Sequence, residues 1–308
     1  MNVKKTNYLY LGTILFEAFV VGLLLVLVKV VNLKLGLLTE LVLNQLMILL
    51  PSVLFLVFTK ENPLRFIPFG KLKLSVVFLT ILFTFLCMPL IVLANAISML
   101  FVENAVNDMA ALMTSLPAFA VVAVVGLIGP ACEEFVFRGV IYHGYRRSGR
   151  VIAAMLLSAF LFGLTHLNFN QMSYAILVGV LGVLLIECTG SIFASMIFHM
   201  VINTSNVIPV VLNPQMYENG NEGAMAQLEM LGMGYKDALY MAIGVYAVIA
   251  VVTTSLAILV LSAIADISGK KEHVRAIFTT KPEQRSRMIT WPLVVSVVLC
   301  FAYMIVTL

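Results

Sequence analysis

The sequence is poor in charge. Lys, Arg, Asp and Glu make up 11% of its 308 residues and hydrophobic residues 62%, where an ordinary soluble domain carries roughly 25% charged residues. That balance excludes a soluble globular domain and marks an integral membrane protein. Cysteine is scarce as well: Cys87, Cys132, Cys188 and Cys300 lie in or beside apolar runs, with no CxxC pair and no framework spacing. They read as buried thiols rather than disulfide partners or zinc ligands. No internal repeat is evident, no glycine-rich or proline-rich linker separates domains, and the zinc-protease motif HExxH is absent.

What is present is a series of long apolar runs, at 8–30, 41–58, 74–102, 112–145, 151–167, 172–188, 191–212, 238–263 and 290–307. Runs of about 20 apolar residues suffice to cross a bilayer core of about 30 Å as helices. They predict an all-α fold, a polytopic helical membrane protein of about nine transmembrane helices, with residues 1–308 forming a single membrane domain. The first run follows Lys4 and Lys5 but extends over about 23 residues with no small-x-small cleavage site, which makes it a retained span rather than a signal peptide.

The few charges are unevenly placed. With nine spans and the N-terminus inside, the inner loops hold Lys4, Lys5, Lys60, Arg65, Lys71, Lys73, Arg146, Arg147, Arg150, Lys270, Lys271, Arg275, Lys281, Arg285 and Arg287. Only Lys29, Lys34 and Lys236 fall outside, with the acids Glu103, Asp108, Glu218, Glu222 and Glu229. This positive-inside pattern predicts a cytoplasmic N-terminus and an outer C-terminus. The basic loops call for no nucleic acid, and anionic lipid headgroups are natural neighbours for them. An acidic outer loop near 213–237 and a basic inner loop near 267–289 read as solvated connectors. Short loops and the lack of a targeting segment suit a prokaryotic plasma membrane. The sequence leaves the oligomeric state open.

The fourth run is too long for one span, because 112–145 as a single helix would reach about 50 Å. Proline is tolerated in the first turn of a helix and disrupts its interior, so a kink or restart is expected at Gly129-Pro130. A restart would place Glu133 and Glu134 where the helix dipole stabilises negative charge.

An ionisable residue inside a span is costly unless it is paired or faces a cavity, so each is a functional candidate. The set comprises Glu17, Glu133, Glu134, Arg138, His166, Glu187 and His199, with Asn203 as a polar companion. Glu134 and Arg138 lie four apart and can form an ion pair on one helix face. Glu133 lies about 100° further round and is left free to face a cavity. The same four-residue spacing joins Phe162 to His166 in FGLTH and His199 to Asn203 in HMVIN. At 1.5 Å per residue from the inner side, Glu133 comes to about 20 Å, His166 to about 24 Å and His199 and Asn203 to about 13–20 Å. Four polar groups from three helices can therefore meet in one layer. Glu187 and His143 read as interfacial, and Glu17 as a residue that lines a lateral opening or pairs with another helix.

A glutamate, two histidines and an asparagine are the ingredients of a hydrolytic site. Glu133 and His166 can hold and deprotonate a water, while His199 and Asn203 can donate to the oxyanion formed from a peptide carbonyl. A divalent metal such as zinc, held by the glutamate and two histidines, is the competing arrangement. A transporter or channel would also need intramembrane acids and histidines, although a lone polar cluster without an inverted repeat disfavours it. A non-catalytic membrane immunity or scaffold protein is the remaining alternative.

The residues also resemble a known family. EEFVFR at 133–138 matches EExxxR, FGLTH at 162–166 matches FxxxH and HMVIN at 199–203 matches HxxxN, in order and on successive spans. This pattern is similar to the CAAX-protease and bacteriocin-processing family, CPBP, of intramembrane endopeptidases. It covers about residues 110–210, the expected catalytic core. The resemblance implies a CAAX-protease-like helical core usually of eight helices, with Glu133 and His166 activating water, His199 and Asn203 forming the oxyanion hole, and Glu134 and Arg138 in support together with Phe162. It implies a glutamic-type protease with a peptide or membrane-protein substrate and no required cofactor, in a family whose members were long described as metalloproteases. Nothing in the sequence marks a prenyl pocket.

Overall fold

The structure, a computed structural model, describes residues 2–217, 226, 228–279 and 286–308, with the backbone alone at 105–108 and 216. Glu218, Glu222, Lys281 and Arg285 of the charge pattern lie outside the described residues, as does the side chain of Asp108. The described residues are predominantly helical. The helices are α1 Val3–Val30, α2 Leu37–Phe58, α3 Leu74–Ser98, α4 Ala105–Met113, α5 Ala118–Arg146 and α6 Val151–Thr165. They continue with α7 Phe169–Thr189, α8 Ile192–Leu212, α9 Tyr235–Ile267, α10 Lys271–Thr279 and α11 Trp291–Val306. No β-strand forms among the described residues; an isolated bridge pairs Phe69 with Ser191.

Seven of these helices are long and apolar enough to cross a membrane, namely α1, α2, α3, α5, α7, α8 and α9. The apolar runs at 151–167 and 290–307 contain the shorter helices α6 and α11, of 15 and 16 residues. At 1.5 Å per residue these reach about 22–24 Å, less than a full hydrocarbon core. The fold is thus a multi-pass helical membrane protein.

Helices α5 to α8 form the inner group. Half of the most apolar window of α7 is buried, against 17% for α1 and α9. Val136, Phe137, Val140, Ile141 and Tyr142 of α5 are enclosed by Leu161 and Leu164 of α6, Val183 and Leu185 of α7, and Phe198 of α8. The outer helices instead expose large apolar side chains, such as Phe19 and Leu25 on α1 and Val248 and Val251 on α9. Those suit contact with lipid tails.

Polar side chains tie the ends of the bundle together. Asn7 of α1 donates to the carbonyl of Met288 at 2.9 Å and to Thr290 at 2.7 Å, and accepts from Tyr145 at 2.5 Å. Gly190 ends α7 with φ at +68°, a left-handed conformation that suits glycine. Ser191 then caps α8 and donates to the carbonyl of Gly70 at 2.5 Å.

The fourth run behaves differently from its sequence expectation. Its helix begins at Ala118, after Pro117, and continues through Pro130 to Arg146 without a restart. Residues 105–113 form the separate helix α4. Two π-helical stretches, Val122–Ile128 and Phe135–Tyr142, flank an α-helical stretch at Gly129–Glu134. A π-helix bonds each N–H to the carbonyl five residues back. The first stretch runs until Gly129, whose N–H reaches Val124, and stops where Pro130 offers no N–H. The proline therefore changes the helical register instead of breaking the helix.

Candidate active site

The pair expected from i,i+4 spacing forms on α5. Arg138 Nη1 lies 3.3 Å from Glu134 Oε1, and both side chains are almost fully buried. None of the Arg138 nitrogens makes a hydrogen bond in addition. The guanidinium instead lies over the ring of Phe162, 4.0 Å from its centroid, where the negative ring face meets the cation. Phe162 of FGLTH thus supports the arginine as well as the histidine one turn later.

Glu134 is the more heavily engaged of the two acids. Its Oε1 accepts from His199 Nδ1 at 2.9 Å, and its Oε2 accepts from Ser195. Glu133 points elsewhere and lines a cavity of about 550 Å³ inside the helical bundle. Its Oε2 is 3.8 Å from His199 Nε2, so His199 stands between both glutamates. His166, His199 and Asn203 line the same cavity as Glu133. Such a volume is in the range of a small-ligand or peptide site, roughly 300–1,000 Å³.

Hydrogen bonding fixes the proton positions on the histidines. His166 Nδ1 is 2.9 Å from the carbonyl of Phe162, which can only accept, so Nδ1 carries the proton and Nε2 is the remaining basic nitrogen. The ring is held edge-on to Phe162. His199 Nδ1–H likewise donates to the carboxylate of Glu134, the partner of Arg138. Its Nε2 can donate to a substrate only when the ring carries both protons.

Asn203 has a second attachment. Its Nδ2 donates to the carbonyl of Val125 at 3.1 Å, and neighbouring Thr204 donates to Gly126 at 3.4 Å. One of the two amide N–H groups of Asn203 remains for other partners.

Among the described residues no three His, Cys, Asp or Glu side chains are grouped to hold a metal ion. His199 Nδ1 is committed to Glu134, which leaves Nε2 as the ring nitrogen facing Glu133.

Several participants lie beyond the sequence reading. Ser195 precedes His199 by four residues, on the same face of α8, and braces Glu134. A Cβ added to Gly182 of α7 would stand 2.5 Å from Ser195 Oγ and 3.3 Å from Arg138 Nε, so the buried network needs glycine there. Gln45 of α2 reaches the cavity, beside Glu17 of α1, which the sequence already placed among the intramembrane candidates. Glu187 is more than interfacial: it accepts from Tyr142 at 2.6 Å, from Arg146 at 2.7 and 3.0 Å, and bonds His273 at 2.6 Å. That cluster lies in a separate pocket with His143 and Lys270. His143 is anchored to the carbonyl of Arg138 at 2.7 Å.

The fold and this cluster define a multi-pass membrane protein with a buried polar site of hydrolytic composition. Residues 115–205 match the family described as type II CAAX prenyl endopeptidase Rce1-like, consistent with the CPBP family. The matched segment contains α5 to α7 and most of α8, hence every residue of the three motifs. No curated protein and no solved structure matches the chain. The family match supports an intramembrane endopeptidase of CAAX type in general.

Proposed function

We propose that the protein is an intramembrane endopeptidase of glutamic type. The observation that carries this reading is the meeting of Glu133, His166, His199 and Asn203, from three different helices, on one cavity within the bundle. Glu133 and the Nε2 of His166 are acceptors that can hold a water by its two hydrogens. As the water oxygen bonds to the peptide carbonyl carbon, one proton passes to Glu133 and the carbonyl oxygen becomes an oxyanion. His199, through Nε2 when its ring carries both protons, and the free N–H of Asn203 can donate to that oxyanion. Glu133 then returns the proton to the departing amine as the C–N bond breaks, leaving a carboxylic acid and an amine.

Each water-activating group keeps its lone pair for the cavity, which supports this division of labour. The reading needs no metal. Peptides or membrane proteins are the substrate class, and a prenylated CAAX peptide is the variant that the matched family's description suggests. A plasma membrane is the proposed location, and the charge asymmetry supports an orientation with the N-terminus cytoplasmic and the C-terminus outside.

The test compares new peptide termini in membranes containing wild type, Glu133→Gln or no protein at matched expression, with and without a chelator. Cleavages present only with wild type and insensitive to the chelator are expected. Chelator-sensitive cleavage would replace the metal-free water mechanism with a metal-assisted one. Identical termini in all three membranes, under conditions where the protein has a phenotype, would replace the protease reading with that of an immunity or scaffold protein.

A further inference from the structure

The active-site cavity has a wall that takes no part in the proposed chemistry. It is contributed by α1 and α2, outside the segment matched to the endopeptidase family. Three polar residues there line the cavity, Glu17, Asn44 and Gln45, and two of them, Glu17 and Gln45, each have a buried oxygen, Oε1, with no hydrogen-bond partner. Buried polar atoms in folded proteins are nearly always paired, so two orphans in one cavity call for a shared explanation. Both orphaned atoms are acceptors when Glu17 is ionised, and a ligand that satisfies them must donate.

Their position relates them to the reaction centre. The Gln45 amide packs against Gly129, where an added Cβ would stand 3.2 Å from Nε2. Gly129 precedes Glu133 by four residues, one turn along the same face of α5. Gln45 therefore packs against α5 one turn before the proposed catalytic acid, on the same cavity.

We propose that Glu17 and Gln45 form a subsite for a cation, the guanidinium or ammonium group of an Arg or Lys side chain on the substrate. A carboxylate in a membrane interior needs a counter-charge, because an unpaired charge there is costly, and among donating ligands a cation supplies one whereas a neutral amide does not. A cation satisfies both requirements. The apolar remainder of the cavity, including Val21, Ile48 and Val178, suits the hydrocarbon stem of such a side chain. The link to substrate rests on the endopeptidase reading, whereas the cation site itself does not.

The test uses purified full-length protein in nanodiscs, with octylguanidinium as the probe and neutral octylurea as the control. Binding is followed by the shift in thermal unfolding, which needs no turnover. Octylguanidinium is expected to stabilise wild type and Glu133→Gln alike, and octylurea neither. Glu17→Gln should bind octylguanidinium about tenfold or more weakly, as expected for loss of a charge-assisted bond. Gln45→Ala should weaken it by a smaller factor, and it serves as the variant if Glu17→Gln does not fold. Equal binding to wild type and both variants would overturn the proposal. So would loss of binding with Glu133→Gln alone, which would seat the cation on the catalytic acid, or octylurea binding as well as octylguanidinium. If octylguanidinium binds as expected while the comparison of peptide termini finds no cleavage, the subsite stands and the endopeptidase reading falls.

Discussion

Asn203 donates its side-chain amide to the backbone carbonyl of Val125 at 3.1 Å. That carbonyl lies five residues before Pro130, where the π-helical register would require an N–H that proline lacks. The next carbonyl, Gly126, is the one an α-helical donor at position 130 would have used, and it accepts from Thr204. The helix carrying HMVIN thus supplies the donors that the helix carrying EEFVFR is missing. One asparagine can both point toward the substrate and hold the glutamate helix in its altered register.

Asn203→Ala should therefore cost stability as well as activity. Leaving a buried carbonyl unpaired costs about 1–3 kcal/mol. Pro130→Ala restores a backbone donor at the same place, so the two substitutions should not be additive. In a double-mutant cycle read by thermal or denaturant unfolding, Asn203→Ala should destabilise the Pro130→Ala background by less than it destabilises wild type. Equal losses in both backgrounds would show that Asn203 does not stand in for the missing donor. Activity should stay low in both Asn203→Ala variants, because the oxyanion donor is gone in each.

Gly182 is expected to be intolerant for a steric reason that Ser195 shares. Gly182→Ala introduces a methyl group 2.5 Å from Ser195 Oγ in a buried network, and overpacking of this kind costs about 1–3 kcal/mol. Ser195→Ala removes that oxygen together with its bond to Glu134. The pair should couple: Gly182→Ala measured in Ser195→Ala protein should lose less stability than in wild type. If Ser195 positions the Glu134–His199 pair, Ser195→Ala should lower kcat with little change in KM, whereas a purely structural role would lower the active fraction alone.

Glu187 should be separable from catalysis. It joins Tyr142 and Arg146 of α5 to His273 of α10, in a pocket distinct from the one holding Glu133. Glu187→Gln removes the charge that Arg146 pairs with and weakens the acceptor bonded to His273, and should loosen α10. Limited trypsin digestion should then cut faster at Lys271 and Arg275, which flank His273. Cleavage of substrate by the intact protein should be retained. Unchanged digestion would mean that α10 is held by other contacts.

The sequence made the polar inventory of the site legible because charge is so rare in this chain that each intramembrane polar residue stands out. Spacing then separated Glu134, which pairs with Arg138, from Glu133, which faces the cavity. A further signal was available in α8: Ser195, His199 and Asn203 recur every four residues and form a polar stripe on one face of an apolar helix. The behaviour of Pro130 was not legible, since whether a proline breaks a helix depends on donors from elsewhere in the fold, here Asn203 and Thr204. Glycine at 182 carried no local signal either, because its role lies in contacts with α5 and α8. Apolar runs located the helices, but their lengths are set by turns and caps that hydropathy does not resolve, so α6 and α11 are shorter than their runs.

Arg138 should be the most sensitive position for folding. Its guanidinium balances Glu134 and lies on Phe162, with almost no exposure to solvent. Arg138→Ala leaves an ionised carboxylate buried beside a histidine, and breaking one side of a buried pair costs about 3–5 kcal/mol. Arg138→Lys keeps the charge but loses the planar group that stacks on the ring, so it should rescue only part of the loss. Removing both charges is a different case, because an apolar replacement of a buried ion pair can be close to neutral. Glu134→Gln with Arg138→Met should therefore fold better than Arg138→Ala, as judged by monodisperse yield and thermal unfolding. It should nevertheless have little activity, because the carboxylate that fixes Nδ1–H of His199 is gone. High activity in that double variant would show that the Glu134–Arg138 pair serves packing alone and that His199 is oriented by other contacts.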